Sequence, residues 1–87
     1  MRKILIVEDE AAISMVLKAY LVNAGYEVEQ AWDGEQAMAL FEAGKPSLVL
    51  LDVLLPGIDG WSVLKWIRDR SACPVIMLTA LGDIDNR

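Results

Sequence analysis

The sequence predicts an α/β fold in which a parallel β-sheet carries helices on both faces. Short apolar runs alternate with segments of helical periodicity along the chain, and this order is typical of parallel strands joined by right-handed crossovers. Two of the runs, residues 3–7 and 47–52, are almost continuously apolar, as in strands that are buried on both faces. The 87 residues suffice for one domain with a modest core.

The first strand is predicted over residues 3–7, and a helix follows it because apolar residues then recur at spacings of three and four. This stripe consists of Ile13, Val16, Leu17, Tyr20, Leu21 and Ala24. Gly25 is a natural C-terminal stop for the helix. Residues 26–31 alternate between apolar and polar side chains, which predicts a strand with one solvent-exposed face at an edge of the sheet.

A second helix is predicted after Asp33, which has the properties of an N-cap residue. Gln36 follows three positions later, and the two residues match a capping box. The apolar face of this helix is formed by Ala37, Leu40 and Phe41. Gly44 and Pro46 mark its end.

The turn at Pro56 and Gly57 separates the third strand from a third helix over about residues 59–70. The apolar face of this helix is formed by Val63, Leu64 and Ile67. Trp66 lies off that face, so we expect it at the surface or in a contact between molecules. A fourth interior strand is predicted over residues 74–78.

The composition argues against several classes of protein. The formal net charge is −5 and no stripe of Lys and Arg is present, so we expect no direct nucleic-acid binding by this segment. Without histidine and with one cysteine, the sequence argues against a zinc site and excludes an internal disulfide. The first apolar run is too short for a signal peptide, and no segment approaches the length of a membrane span. We therefore expect no membrane association and a cytoplasmic location.

Three carboxylates and a hydroxyl follow or end strands of the predicted sheet. Glu8 and Asp9 follow the first strand, Asp52 ends the third, and Thr79 follows the fourth. Because ligands bind beyond the carboxyl ends of parallel strands, we expect these side chains at one edge of the sheet. Clustered carboxylates raise each other's pKa, and a bound divalent cation relieves that repulsion. An oxygen-only ligand set favours Mg²⁺, beside which an aspartate can attack a phosphoryl group.

Simpler interpretations of the same residues stay open at this point. Glu8 and Asp9 could be an N-cap signal for the first helix, and Asp52 could cap the turn before Pro56. Thr79 could be an ordinary threonine at a strand end. An unrelated nucleotide-binding α/β enzyme is disfavoured because neither G-x-G-x-x-G nor G-x-x-x-x-G-K-[ST] occurs.

Three motifs together resemble those of bacterial response-regulator receiver domains, which have the CheY-like fold. They are KILIVEDE at residues 3–10, LVLLDVLLPGIDG at 48–60 and PVIMLTA at 74–80, and the resemblance extends over the entire chain. The ending LTALGDIDNR is most similar to receivers of winged-helix transcription factors of the OmpR/PhoB type. The resemblance implies a phosphoacceptor domain that receives phosphate from a sensor histidine kinase with Mg²⁺. Such a domain promotes its own phosphorylation but is not a turnover enzyme.

The resemblance also implies roles for single residues. Asp52 matches the phosphoacceptor. The expected Mg²⁺ ligands are Glu8, Asp9, Asp52 and the backbone carbonyl of Leu54. Asp9 matches the more direct ligand of the acidic pair.

Three further residues match the groups that surround the phosphoryl group in the family. Thr79 matches the switch hydroxyl that turns toward the phosphoryl group. The backbone amides of Val53 and Ala80 are expected to donate hydrogen bonds to its oxygens.

The family pattern has five βα units in the strand order 2-1-3-4-5, whereas residues 1–87 contain four predicted strands and three predicted helices. We therefore expect an incomplete receiver domain with the strand order 2-1-3-4. An open edge and uncovered apolar surface would favour a homo-oligomer or a strand-exchanged dimer. The alternative function is a truncated or engineered receiver fragment that folds or self-associates but cannot switch.

Overall fold

The computed structural model of the chain describes residues 2–78, and Thr79 and Ala80 therefore lie outside the described part. Strands and helices alternate as predicted. In chain order they are β1 (Lys3–Val7), α1 (Ala11–Asn23), β2 (Glu27–Ala31), α2 (Gly34–Gly44), β3 (Leu48–Asp52), α3 (Gly60–Arg68) and β4 (Val75–Leu78).

The four strands form one parallel sheet in the order β2-β1-β3-β4, which confirms the predicted order. Val7, the last residue of β1, is opposite both Ala31 of β2 and Leu51 of β3. At the next step of the ladder, Asp52 is opposite Leu78 of β4. The carboxyl ends of the strands are thus level, so residues that follow them meet at one edge of the sheet.

The two faces of the sheet are covered differently. Side chains alternate along each strand, so β1 and β3 contribute to both faces. The larger core packs one face against α2 and α3 and contains Leu5, Val7, Ala31, Ala37, Phe41, Val49, Leu51, Val63 and Ile67. On the other face, Ile4, Ile6 and Leu50 pack against Leu17 and Leu21 of α1.

The apolar stripe of α1 is less buried than its periodicity suggests. Leu17 and Leu21 contact the sheet, whereas Ile13, Val16 and Tyr20 are exposed. Within the described residues, α1 is the helix that packs on this face of the sheet. One helix turns only a narrow side toward the strands, which explains why the flanks of the stripe remain exposed.

Both ends of α2 differ slightly from the predicted pattern. The Asp33 carboxylate accepts a hydrogen bond from the Gln36 backbone N–H at 2.8 Å, which confirms the N-cap. The Gln36 side chain accepts from the Trp32 N–H at 2.7 Å, one residue earlier than in a capping box. Gly44 is still helical, and Lys45 instead adopts the left-handed conformation that ends the helix, with φ 45°.

The expectation for Trp66 is wrong, because its ring packs against the core. The ring centroids of Trp66 and Phe41 are 5.8 Å apart in an edge-to-face arrangement. The Arg70 guanidinium lies over the Trp66 ring, 4.0 Å from its centroid. The periodicity of α3 identifies only the face of α3 that meets the sheet. It does not show the contact of Trp66 with Phe41, because Phe41 belongs to the neighbouring helix α2.

Candidate phosphoacceptor and metal site

The carboxylates of Glu8, Asp9 and Asp52 come together where β1 and β3 end. Each offers an oxygen, and these oxygens all lie within 4.8 Å of one another. Glu8 is held in line with the sheet because its N–H donates to the Ala31 carbonyl at 3.1 Å, one step beyond the last pair of β1 and β2. The predicted juxtaposition of the three acidic residues is confirmed by this geometry.

Glu8 is the most enclosed of the three carboxylates, with 3% of its surface exposed. Its pKa is raised to about 7, chiefly by burial and to a smaller extent by the neighbouring carboxylates of Asp52 and Asp9. A hydrogen bond from the Glu10 backbone N–H at 3.0 Å opposes the rise in pKa. Loss of hydration therefore perturbs Glu8 more than repulsion between the carboxylates, which was the cause expected from the sequence.

Asp52 is 9% exposed, so it lies at the rim of the core rather than in its middle. Its Oδ1 accepts a hydrogen bond from the Leu54 backbone N–H at 3.1 Å. This local turn bond matches the simpler interpretation of Asp52, and it coexists with the carboxylate cluster. A nearly buried carboxylate at the end of an apolar strand thus has both a donor and acidic neighbours that could share a cation.

The Val53 amide is not available in the way the sequence suggested. Its N–H donates to the Leu78 carbonyl at 3.0 Å and so extends the ladder between β3 and β4. The amide that approaches the Asp52 carboxylate is that of Leu54. The hydrogen-bond ladder between β3 and β4 ends at Val53. The N–H of Leu54 is therefore the first backbone donor after β3 that can point toward the Asp52 carboxylate.

Gly60 is a residue of the site that the sequence argument missed. A Cβ atom at this position would lie 2.3 Å from the Asp52 carbonyl oxygen and 2.8 Å from Val53 Cα. The Gly60 N–H donates to the Val53 carbonyl at 3.1 Å. The first turn of α3 therefore packs directly against the backbone of Asp52 and Val53. A glycine in first helical position, directly after the N-cap Asp59, was the available signal.

The N-cap interpretation of Glu8 and Asp9 does not agree with the structure. The N-cap residue of α1 is Glu10, and no side-chain hydrogen bond caps the helix there. Glu8 accepts instead from the Glu10 N–H, which precedes the first turn. The acidic pair is therefore turned toward Asp52 rather than toward the start of the helix.

The residues present fit a hard divalent cation. All three side-chain donors are carboxylate oxygens, and their spacing allows them to share one ion. The raised pKa of Glu8, caused first by burial and then by the neighbouring carboxylates, is consistent with a site that a bound cation would stabilise. Mg²⁺ would be held by these carboxylates and leave positions for oxygens of water or of a phosphoryl group.

Within residues 2–78, no helix is both long enough and apolar enough to cross a bilayer.

Comparison with known families identifies the chain. Residues 4–87 match the response regulator receiver domain, and the chain belongs to this family. The curated proteins similar to it include the probable transcriptional regulator ycf27 of Cyanophora paradoxa, 48% identical over 86 residues, and the transcriptional regulatory protein ResD of Bacillus subtilis, 44% identical over 85 residues. These matches cover 99% and 98% of this chain but 36% and 35% of the relatives. The chain thus spans about a third of the length of the curated relatives it matches.

Solved receiver structures have the same fold. The response regulator TrrA of Thermotoga maritima, in complex with Mg²⁺ and BeF, has a TM-score of 0.88 at 39% identity, covering 99% of this chain and 76% of that one. The BeF3-activated receiver domain of Klebsiella pneumoniae RstA has a TM-score of 0.88 at 35% identity, covering 92% and 68%. The CheY-like fold is therefore confirmed, and the chain is a receiver domain of a two-component response regulator.

Proposed function

We propose that Asp52 is the phosphoacceptor of this receiver domain and takes a phosphoryl group from a sensor histidine kinase in the presence of Mg²⁺. The observation that carries the proposal is the cluster of three carboxylates within 4.8 Å at the ends of β1 and β3. Membership of the receiver family supports it, and so does the Mg²⁺ and BeF bound by the TrrA neighbour.

In the proposed reaction, a carboxylate oxygen of Asp52 bonds to phosphorus while the P–N bond of a phosphohistidine breaks. The electron pair of that bond goes to the imidazole nitrogen, and an acyl phosphate forms on Asp52. Mg²⁺, when bound, neutralises the carboxylates and the phosphoryl oxygens as they approach one another. Glu8 and Asp9 would hold the ion beside Asp52, and the Leu54 carbonyl is the further ligand that the family resemblance implies.

The hydrogen bonds after β3 support a different amide donor for the phosphoryl oxygens from the one that the sequence suggested. We assign this donor to Leu54, because its N–H already points at the Asp52 carboxylate, whereas the Val53 N–H donates to the Leu78 carbonyl. The switch hydroxyl of Thr79 and the amide of Ala80 remain predictions, since both residues lie outside residues 2–78.

The relatives suggest what the phosphorylated domain controls. ycf27 and ResD are named as transcriptional regulators, so we propose that this domain controls an output that regulates transcription. It would act as a phosphorylated switch and not as a turnover enzyme. A cytoplasmic location and the absence of direct nucleic-acid binding by this segment also remain predictions.

Beryllium trifluoride tests the site, because it resembles a phosphoryl group and forms a complex with carboxylates. We expect a bound ¹⁹F NMR signal in the wild type that requires Mg²⁺ and is lost in Asp52→Asn. Asp69→Asn is the matched control, because Asp69 is exposed near the far end of α3. A bound signal that survives in Asp52→Asn, or that forms equally well in EDTA, would overturn the proposal.

A second candidate follows from the exposed apolar surface of α1. Tyr20 is 74% exposed and Met15 is 64% exposed, with Val16 and Val22 also exposed. We propose that the chain buries this surface in a homo-oligomer or strand-exchanged dimer. Sedimentation equilibrium at micromolar concentrations should show a dimer that Tyr20→Glu weakens. A monomer at all concentrations would contradict this candidate.

A further inference from the structure

Ser14 is the one buried residue of α1, and it is polar. None of its surface is exposed, although larger apolar side chains of the same helix, such as Met15 and Val16, face solvent. Burying a hydroxyl costs free energy unless it is hydrogen-bonded, and an alanine would fill such a position without that requirement. The buried hydroxyl therefore calls for a reason beyond packing.

The Ser14 hydroxyl accepts a hydrogen bond from a side chain of the neighbouring strand β2. The Gln30 Nε2 of β2 donates to Ser14 Oγ at 2.8 Å, across 16 positions of sequence. Gln30 precedes Ala31, whose carbonyl accepts from the Glu8 N–H at 3.1 Å. The bond therefore joins α1 to β2 beside the point where β2 supports Glu8.

The same residues complete a closed ring of hydrogen bonds that passes through Glu8. The Ser14 N–H donates to the Glu10 carbonyl at 3.0 Å, and the Glu10 N–H donates to Glu8 Oε2 at 3.0 Å. The Glu8 N–H donates to the carbonyl of Ala31, which is joined to Gln30 by a peptide bond. The Gln30 side chain donates to the Ser14 hydroxyl, and this bond closes the ring. Within this ring, the first turn of α1, the end of β2 and the Glu8 carboxylate fix each other's positions.

We propose that Ser14 and Gln30 are positioning residues for the Mg²⁺ site, which hold the Glu8 carboxylate and the backbone of Asp9 in the geometry that binds the ion. This inference rests on the proposed function, since it takes Glu8, Asp9 and Asp52 as the ligands. Asp9 is exposed and lies in the segment between Glu8 and Glu10, so the ring determines where its carboxylate can reach. Outer hydrogen bonds of this kind commonly tune metal affinity.

The test measures Mg²⁺ affinity by NMR titration of backbone amides in the 87-residue chain. Ser14→Ala and Gln30→Met each remove one side of the bond and should weaken Mg²⁺ binding about tenfold. The double variant should be no weaker than either single one, because both remove the same bond. The backbone amide proton of Glu10 should exchange faster with solvent in both single variants and in the double variant, because its hydrogen bond to the Glu8 carboxylate is then less constrained.

Ile67→Val is the matched control for lost stability. Ile67 is buried in α3 and takes part in none of the hydrogen bonds of the ring, so the variant lowers stability without removing any of them. It should leave both Mg²⁺ affinity and Glu10 exchange unchanged. Because Gln30 is only partly buried, Gln30→Met keeps the test possible if Ser14→Ala fails to fold.

Asp9→Ala separates the two proposals. If it leaves Mg²⁺ affinity unchanged, the proposed metal site is wrong. If Asp9→Ala weakens binding but Ser14→Ala and Gln30→Met behave like Ile67→Val, the metal site stands and the positioning role is overturned. Additive losses in the double variant would likewise contradict a shared bond between Ser14 and Gln30.

Discussion

At the scale of single residues, carboxylates lie in a nearly buried cluster, where a negative charge costs free energy because it is poorly hydrated. Glu8 and Asp52 are nearly buried, and Asp9 lies beside them. Their positions at strand ends could be predicted from the sequence, because parallel topology brings those ends together. The dominance of burial in raising the pKa of Glu8 could not be predicted, since it depends on how completely the folded chain encloses the side chain.

The first prediction concerns the pH dependence of stability. The pKa of Glu8 is about 7 in the folded protein, against an ordinary 4.5, so the folded state binds the proton more tightly. Stability of the metal-free protein should therefore fall as pH rises from about 4.5 to 7. Glu8→Gln removes this effect and should be more stable than wild type at pH 8 by about 2 kcal/mol, with little difference at pH 4.5.

Urea denaturation in EDTA at the two pH values measures this difference, with Glu35→Gln as an exposed control. Adding Mg²⁺ at pH 8 should restore wild-type stability more than that of Glu8→Gln. Parallel pH profiles for wild type and Glu8→Gln would show that the Glu8 carboxylate is not perturbed.

The second prediction concerns the close approach at Gly60. The added methyl group of Gly60→Ala would collide with the Asp52 carbonyl oxygen, which is backbone and cannot move away without disturbing the acceptor. We expect a loss of about 2 kcal/mol in the free energy of unfolding and weaker beryllium trifluoride binding. Ser62→Ala, an exposed change in the same turn of α3, should change the stability by less than about 0.5 kcal/mol.

At the scale of elements, the sequence predicted the strands and helices to within one or two residues at their ends, and it predicted the surroundings of the helices less well. The runs before Glu8 and at Asp52 are short and apolar, and burial in a parallel sheet leaves few alternatives for them. The left-handed residue that ends α2 is Lys45, one residue after Gly44. The prediction placed the end at Gly44 because glycine is the usual residue in that conformation. The position of Trp66 against Phe41 depends on how α2 and α3 pack, which no local pattern contains.

The third prediction follows from the end of α2. Lys45 has φ 45° and ψ 65°, a left-handed conformation that strains a residue with a Cβ atom. Lys45→Gly should therefore stabilise the protein by up to about 1 kcal/mol. Lys18→Gly makes the same chemical change inside α1, where it should cost about 1 kcal/mol.

Thermal or urea unfolding of the two variants compares the signs directly. If Lys45→Gly destabilises the protein as Lys18→Gly does, the left-handed end of α2 is incorrect.

At the scale of the whole molecule, the level carboxyl ends of a parallel sheet bring the carboxylates of the site together. The order β2-β1-β3-β4 places β1 and β3 side by side, so Glu8, Asp9 and Asp52 meet although 43 positions separate Asp9 from Asp52. Fold and site cluster could therefore be predicted from topology. The hydrogen bond from the Val53 amide to the Leu78 carbonyl could not be predicted, because it depends on how far the ladder continues beyond β3.

In our proposal, this arrangement makes Asp52 a Mg²⁺-dependent phosphoacceptor. The intact mass of the protein after incubation with acetyl phosphate shows whether Asp52 is phosphorylated. In that reaction a bond forms from Asp52 to phosphorus and acetate leaves. We expect one phosphoryl adduct in the wild type with Mg²⁺, none in EDTA and none in Asp52→Asn, while Asp69→Asn behaves as wild type. No adduct in a wild-type sample that circular dichroism shows to be folded, or an equal adduct in Asp52→Asn, would contradict the claim.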